Sequence, residues 1–447
     1  MEKGANLKKD IGLIIATALV TGNMMGSGIF MLPATLASKA GPGSTMLAWL
    51  ITGIGSIFLA LSFGKLGSKI PKTGGPYEYS KLAFGDFMGF MNAWLYWNGS
   101  WIGNAAVIVA VTSYAGALFP AISDNHLYSF LFSSAVLWIF TIINIVGVRR
   151  AGEIQTTITI FELLLFLAFI IIAALHFDIN NLRPLFPEGK GIGTLNAAAT
   201  STLWAFVGLE SASVTAGEIK NPERNVKLST IFGICIAMAM YMCISFVSMG
   251  AVPQEQLAQS KSPIVDIFSM FVGSGISKVI MIGAVLSILG TTVGWLLSTA
   301  RVAFAAGEDG IFPAVFGKVH PRFKTPYVSL IIGSVLVNLL LFMNYTESKS
   351  LLSAFNFIVL LATLSFLPVY AFTAAAEIIL LVKRDQRFNA WRMIKSSIVP
   401  LLGFAYAVWT VYGSGAETVM YGFLLFLLGI PCYVYMKLKT NGQKELA

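Results

Sequence analysis

The chain has 447 residues, 56% of them hydrophobic and 11% charged, with 33 Phe and a formal net charge of +9. That balance excludes a soluble multidomain protein, and it points to a polytopic membrane protein. The positive charge does not call for nucleic acid, because the basic residues are spread loop by loop instead of forming one patch.

A membrane-crossing helix needs about 20 predominantly apolar residues. Twelve segments qualify: 11–38, 44–66, 86–117, 128–148, 154–177, 194–217, 228–252, 277–306, 326–345, 351–382, 396–413 and 418–436. All but six of the 30 Lys and Arg then fall on the side of the N-terminus, the exceptions being Lys39, Arg183, Lys190, Lys261, Lys278 and Lys349. An even number of crossings with this bias predicts both termini in the cytoplasm of a cell inner (plasma) membrane protein. The first segment is long, broken by glycine and lacks a cleavage site, so it is expected to be retained. No linker separates domains, and the polar intervals near 178–193 and 253–276 are of loop size. A single integral domain over 1–447 is expected. Cys235, Cys243 and Cys432 fall inside predicted helices and read as packing residues without disulfides. His126, His176 and His320 are scattered and suggest no metal site.

In the first segment, Gly22-Asn23-Met24-Met25-Gly26-Ser27-Gly28 places three glycines and two small polar side chains in mid-span. Glycine weakens a helix, and freed backbone groups are tolerated in a bilayer only where they face protein, water or a solute. Two readings fit: an unwound binding segment, or a close helix contact through small residues. The third segment carries Tyr96-Trp97-Asn98-Gly99-Ser100-Trp101-Ile102-Gly103-Asn104. Helical spacing puts Tyr96, Ser100 and Asn104 on one face, where they offer a phenol, a hydroxyl and an amide; an interfacial aromatic belt is the alternative. In the fifth, Glu162 is flanked by apolar residues and must face the bundle interior or a wet cavity, as a proton site, a charge partner or a structural contact.

The sixth segment repeats the pattern of the first, with Trp204-Ala205-Phe206-Val207-Gly208-Leu209-Glu210-Ser211 putting a glycine and a carboxylate in mid-span. Glu210 could exchange a proton, pair with a cation or make a structural hydrogen bond. Breaks in the first and sixth helices suit a five-plus-five inverted repeat, approximately 11–177 and 194–382, with additional helices at 396–436 and substrate at the midplane. Trp204, with Trp295 of the eighth segment, could close over a cationic ligand. Arg301 and Glu377 lie near helix ends, where snorkelling is the expected arrangement.

Five stretches together resemble the amino acid/polyamine/organocation transporter family: Gly22 to Gly28; Leu95-Tyr96-Trp97 with Trp101-Ile102-Gly103-Asn104; Leu203 to Ala212; Asn221-Pro222-Glu223-Arg224-Asn225-Val226; and Asp309-Gly310-Ile311-Phe312-Pro313. Within it the chain is most similar to the basic amino acid and polyamine antiporter branch, which includes arginine/agmatine, cadaverine/lysine and putrescine/ornithine exchangers. The resemblance implies twelve helices of LeuT type with helices 1 and 6 unwound at mid-membrane. It also implies a substrate site at Asn23, Gly26, Ser27, Gly28, Tyr96, Ser100, Asn104, Trp204, Ala205, Val207, Gly208 and Trp295. In that scheme Ser27 and Gly28 take a carboxylate, while carbonyls from Ala205 to Gly208 take an α-amino group. Trp204 caps the substrate, Trp295 shapes the pocket, Tyr96 belongs to an inner gate, and Ser100 and Asn104 line the side-chain pocket. Glu210 matches a glutamate tied to gating and pH dependence, and a homodimer is implied. Two departures stand out: Phe90 replaces a tyrosine of the arginine/agmatine exchanger, and Glu162 stands where some proton-coupled members carry lysine.

The expected function is secondary transport of an amino acid, exchanging a cationic amino acid for a related amino acid or its decarboxylation amine. The alternative is a proton-coupled neutral amino acid permease. An enzyme would need a clustered nucleophile, base or metal set, and a channel a charged ring or symmetric pore element. No Walker-type phosphate loop is present, so a gradient rather than ATP supplies the energy. No cofactor is expected, and the partners are the amino acid or amine and the lipid bilayer.

Overall fold

A computed structural model describes residues 9–186, 191–260, 262–347, 351–384 and 390–445. Twelve helices are long and apolar enough to cross a membrane: α1 Leu13–Lys39, α2 Pro42–Lys69, α3 Asp86–Leu118, α4 His126–Val146, α5 Ala151–Leu175, α6 Gly191–Val214, α7 Pro222–Ala251, α8 Lys278–Glu308, α9 Tyr327–Thr346, α10 Ile358–Leu380, α11 Met393–Gly413 and α12 Val419–Lys439. Each overlaps one expected segment, with ends displaced by a few residues where caps, not hydropathy, set the boundary. Proline opens α2 and α7, where its missing N–H costs nothing. The Asn125 side chain caps α4 by accepting from the Leu127 and Tyr128 amides. Lys3, Lys8, Lys190, Lys261, Lys349 and Arg387 of the charge count lie outside the described residues.

Burial sorts the helices into a centre and a rim. The best-buried windows are those of α1 and α3, at 78% each, whereas α12 is 6% buried. The most apolar window, in α5, is only 28% buried, since a helix facing lipid must be apolar outward as well as inward. Cys235, Cys243 and Cys432 are free thiols on exposed faces of α7 and α12.

The connections hold more structure than their composition suggested. The 253–276 interval contains two short helices, Gln254–Gln259 and Pro263–Val272. Gln254 donates to the Ala37 and Ala40 carbonyls, which fastens the first of them over the end of α1. A third short helix, Pro76–Phe84, links α2 to α3.

The end of the bundle that carries the N-terminus is closed by ion pairs. Arg301 and Glu377 do not snorkel. Arg301 is fully buried and its Nε lies 2.8 Å from Glu218 Oε1, while Glu377 meets Lys65 at 2.6 Å. Both stay buried because Glu218 and Lys65, from neighbouring elements, supply the counter-charge. Lys81 pairs with Asp309 at 2.6 Å, and Tyr77 donates to the same carboxylate. Burial and that hydrogen bond push the Tyr77 phenol far above its ordinary range, so it stays a donor. Ile11 completes the seal by pairing its backbone with Glu218 and Lys220.

Candidate functional site

The first helix breaks at Gly26, whose φ of −42° and ψ of −126° are not helical. A β-carbon there would lie 2.3 Å from the Thr291 side chain of α8, so only glycine lets the two helices approach this closely. Thr291 Oγ1 also donates to the Gly22 carbonyl at 2.9 Å, satisfying an acceptor beside the break. Asn23 braces the segment on three sides. Its amide donates to Ser211 Oγ at 2.8 Å and Ser298 Oγ at 3.4 Å, and its Oδ1 accepts from Gln155 at 2.9 Å. The Asn23 carbonyl accepts from Trp295 Nε1 at 2.9 Å.

The sixth helix is interrupted at the same level. Regular α-helix runs from Leu195 to Leu203, a tight turn covers Trp204–Phe206, and helix resumes at Ser211–Val214. Between them Val207 is extended and Gly208 has φ +115°, a value that favours glycine. A β-carbon on Gly208 would meet the Asn23 backbone at 3.0 Å, so the two breaks pass directly against each other.

Trp204 spans the space between the breaks and α3. Its Cδ1 lies 3.5 Å from where a Gly28 β-carbon would be, and its Cη2 lies 3.0 Å from the equivalent point at Gly103. Ser27, Gly28, Ala205 and Val207 are buried around it. Free amides that start a half-helix favour an anion, and the carbonyls that end one favour a cation. Each break ends one half-helix and begins another, so the two together can offer carbonyls to an ammonium group and amides to a carboxylate. Tyr241 of α7 donates to the Ala205 carbonyl at 2.8 Å and steadies that edge.

Directly after the α6 break, Glu210 is the hub of a buried cluster. Its Oε1 accepts from Tyr96 Oη at 3.0 Å, and its Oε2 accepts from Tyr370 Oη at 2.7 Å and the Gly208 amide at 3.2 Å. The carboxylate so ties α3 and α10 to the break. Phe366 layers this cluster against the indole above it, with ring centroids 5.3 Å from Tyr96 and 5.5 Å from Trp295. Ser100 and Asn104 share the α3 face with Tyr96, but the Ser100 hydroxyl donates to the Tyr96 carbonyl at 2.7 Å. Asn104 donates to Thr299 at 3.0 Å, and its buried Oδ1 keeps no hydrogen-bond partner among the described residues.

Glu162 lies elsewhere, behind α1. Thr159 and Gln155 of α5 face Gly22, and Phe166 meets Phe30 at 5.0 Å, so the intervening Glu162 is level with the Gly26 break. It is 1% exposed, and its Oε1 has no hydrogen-bond partner among the described residues. Ser287 Oγ, on the α8 turn below Gly290, is likewise buried without one. Among the described residues no group of three or more His, Cys, Asp or Glu could hold a metal ion.

Sequence reasoning missed Tyr370, Phe366, Thr291 and Ser298, which complete the clusters around the expected residues. Only helical spacing hinted at any of them: Phe366 and Tyr370 are four residues apart on one face of α10.

A profile of the amino acid permease family matches residues 11–435. The chain is 30% identical to the arginine/agmatine antiporter of Chlamydia pneumoniae, over 98% of this chain and 92% of that one. It is equally similar to the arginine/ornithine antiporter of Latilactobacillus sakei, at 30% identity with the same coverage. A Bacillus subtilis (strain 168) protein provisionally described as an arginine/ornithine antiporter is 32% identical over 98% of this chain and 99% of its own length. With its twelve spanning helices, the chain belongs to the amino acid permease family and has that family's LeuT-type fold.

Proposed function

We propose that the protein is an antiporter that exchanges a cationic amino acid for a related amino acid or its decarboxylation amine by alternating access. The observation that carries this is the meeting of two helix breaks inside one apolar bundle, where helix ends of both signs come together for a zwitterionic head group. Relatives named for arginine, ornithine and agmatine supply the substrate class, and none of the three is named for a neutral amino acid, so the neutral permease is set aside.

In this reading Ser27 and Gly28 receive the carboxylate, and carbonyls from Ala205 to Gly208 receive the α-ammonium. Trp204 covers the substrate, Trp295 shapes the pocket beside it, and the free Asn104 oxygen accepts from the cationic side chain, with Ser100 next to it. Asn23 and Gly26 shape the break. Tyr96 and Glu210 form the gate beneath, and Glu162 behind α1 carries the proton-linked charge. The two halves 11–177 and 194–382 act as inverted repeats, both termini face the cytoplasm by the charge bias, and the protein works in the plasma membrane as a homodimer.

Counterflow in proteoliposomes tests the reading. Labelled arginine, lysine or ornithine should enter only vesicles loaded with a cationic amino acid or amine; proton-driven entry of alanine into empty vesicles would refute it. Trp204→Leu should slow exchange by roughly tenfold to thirtyfold, the loss of a desolvated cation–π cover, and wild-type rates would remove Trp204 from the site. For Glu162→Gln, the measurement is exchange from pH 5 to 8 with each substrate: a shifted profile is expected, and an unchanged profile with unchanged selectivity makes Glu162 a structural contact.

A further inference from the structure

A cavity lies away from the two helix breaks. It has a volume of about 380 Å³ and sits between the start of α3, the turn after α8 and the end of α12. Its walls are aromatic and aliphatic, formed chiefly by Phe90, Trp94, Trp97, Phe312, Phe316 and Met436. Volume and lining match a small-molecule site, for which roughly 300–1,000 Å³ is usual. Because α12 is almost wholly exposed on the outer rim, the cavity borders on lipid.

Its depth is set by the helices. Lys437 pairs with Asp86 at 3.1 Å, which places the end of α12 level with the start of α3 at the rim of the bundle. Trp97 is eleven residues further along α3, roughly 16 Å deeper at 1.5 Å per residue. That is about half of a bilayer core roughly 30 Å thick, the depth that one acyl chain fills in one leaflet. The mouth is basic. Lys439 follows Met436 by three residues, hence on the same helix face, and Lys318 follows Phe316 by two; both are exposed. The wall is also continuous with the closed end of the bundle, since Phe312 comes three residues after Asp309, which Lys81 and Tyr77 hold. Phe312 packs edge-on against Phe90 at 5.8 Å and Trp97 at 5.7 Å, so filling the cavity bears on that turn.

We infer that this cavity binds one acyl chain of an anionic membrane lipid, whose headgroup rests against Lys318 and Lys439 and whose chain braces the turn carrying Asp309. The site is independent of which solute the protein transports. Lipid identity follows from complementarity: an apolar slot one leaflet deep selects a chain, and lysines at its mouth select a negative headgroup.

The test is lipid retention by the full chain, purified from vesicles of mixed phosphatidylglycerol and phosphatidylcholine and read by native mass spectrometry. Wild-type protein should retain phosphatidylglycerol in preference to phosphatidylcholine and unfold at a higher temperature with it bound. Cys432→Phe, which fills the slot from its exposed side, should abolish retention of that lipid. Lys318→Gln with Lys439→Gln leaves the slot open and should lower the preference for phosphatidylglycerol about twenty-fivefold, from roughly fivefold per interfacial lysine. Equal retention of the two lipids by wild type, or undiminished retention by Cys432→Phe, would overturn the site. Should Cys432→Phe not fold, an unchanged lipid preference in the double lysine variant would overturn it as well. None of these readouts depends on transport.

Discussion

Arg301→Met is expected to cost about 3–5 kcal/mol of stability, the penalty for leaving one member of a buried ion pair alone. Arg301 is 0% exposed and the Glu218 side chain 2%, so water cannot take over the charge that remains. The pair is also built in two contacts, Nε to Oε1 at 2.8 Å and Nη2 to Oε2 at 3.4 Å, a fork that methionine does not replace. Glu218 carries further weight because its carbonyl accepts from the Ile11 amide at 3.1 Å, so disturbing it also loosens the seal at the N-terminus. The check is equilibrium unfolding in detergent of Arg301→Met, Glu218→Leu and the double variant. The double variant should recover most of the loss, because two apolar side chains replace both charges. A double variant whose loss equals the sum of the two single losses would mean that the charges do not act as a pair.

The same pair shows where sequence reading stopped. Twelve crossings could be read because each is an apolar run near the length a bilayer demands. The breaks at Gly22–Gly28 and Trp204–Glu210 could be read because glycine and a carboxylate conflict with such a run. Glu218 was invisible for the opposite reason: it lies just past the sixth run, in polar surroundings where a carboxylate is unremarkable, 83 residues from its partner. Arg301 and Glu377 were visible, but their position near run ends suggested snorkelling, and only the fold shows counter-charges brought to them. The helices Gln254–Gln259 and Pro263–Val272 were missed because six and ten residues are too short to register as helices without the α1 surface they pack on. Among the candidate site residues, the sequence could list polar groups on the α3 face but not say which were already engaged. Ser100 is spent on its own helix and Tyr96 on Glu210, whereas Asn104 keeps an acceptor.

These engagements divide the molecule along its axis. Towards the N-terminal end, charged pairs join α2 to α10 through Lys65 and Glu377, and the α8 end to the Pro76–Phe84 helix through Asp309 and Lys81. Next to the pocket, the Glu210 cluster joins α3, α6 and α10. In the proposed alternating access, opening a path to that end separates both layers. The outer layer borders water and its charges can be rehydrated as it parts, while the inner layer must break hydrogen bonds in a dry interior. The inner layer therefore carries the larger share of the barrier per bond.

Glu210→Gln isolates that inner layer. The carboxylate accepts three hydrogen bonds, from two phenols and one backbone amide. A glutamine can keep its oxygen towards Tyr370 and Gly208, but its NH₂ then faces Tyr96, whose hydroxyl must turn to accept. All three bonds lose their charge assistance, worth roughly 1 kcal/mol apiece. Together they shift the balance between closed and open gate by about a hundredfold, at 1.4 kcal/mol per factor of ten. Tyr370→Phe removes a single bond and leaves no stranded donor, so its shift should be roughly tenfold. The expected readout in loaded proteoliposomes is leak: labelled arginine should escape into substrate-free buffer faster relative to its exchange rate, more so for Glu210→Gln than for Tyr370→Phe. A leak-to-exchange ratio equal to wild type in both variants would show that the cluster holds the fold together without controlling passage, and would move the gate to the ion pairs below it.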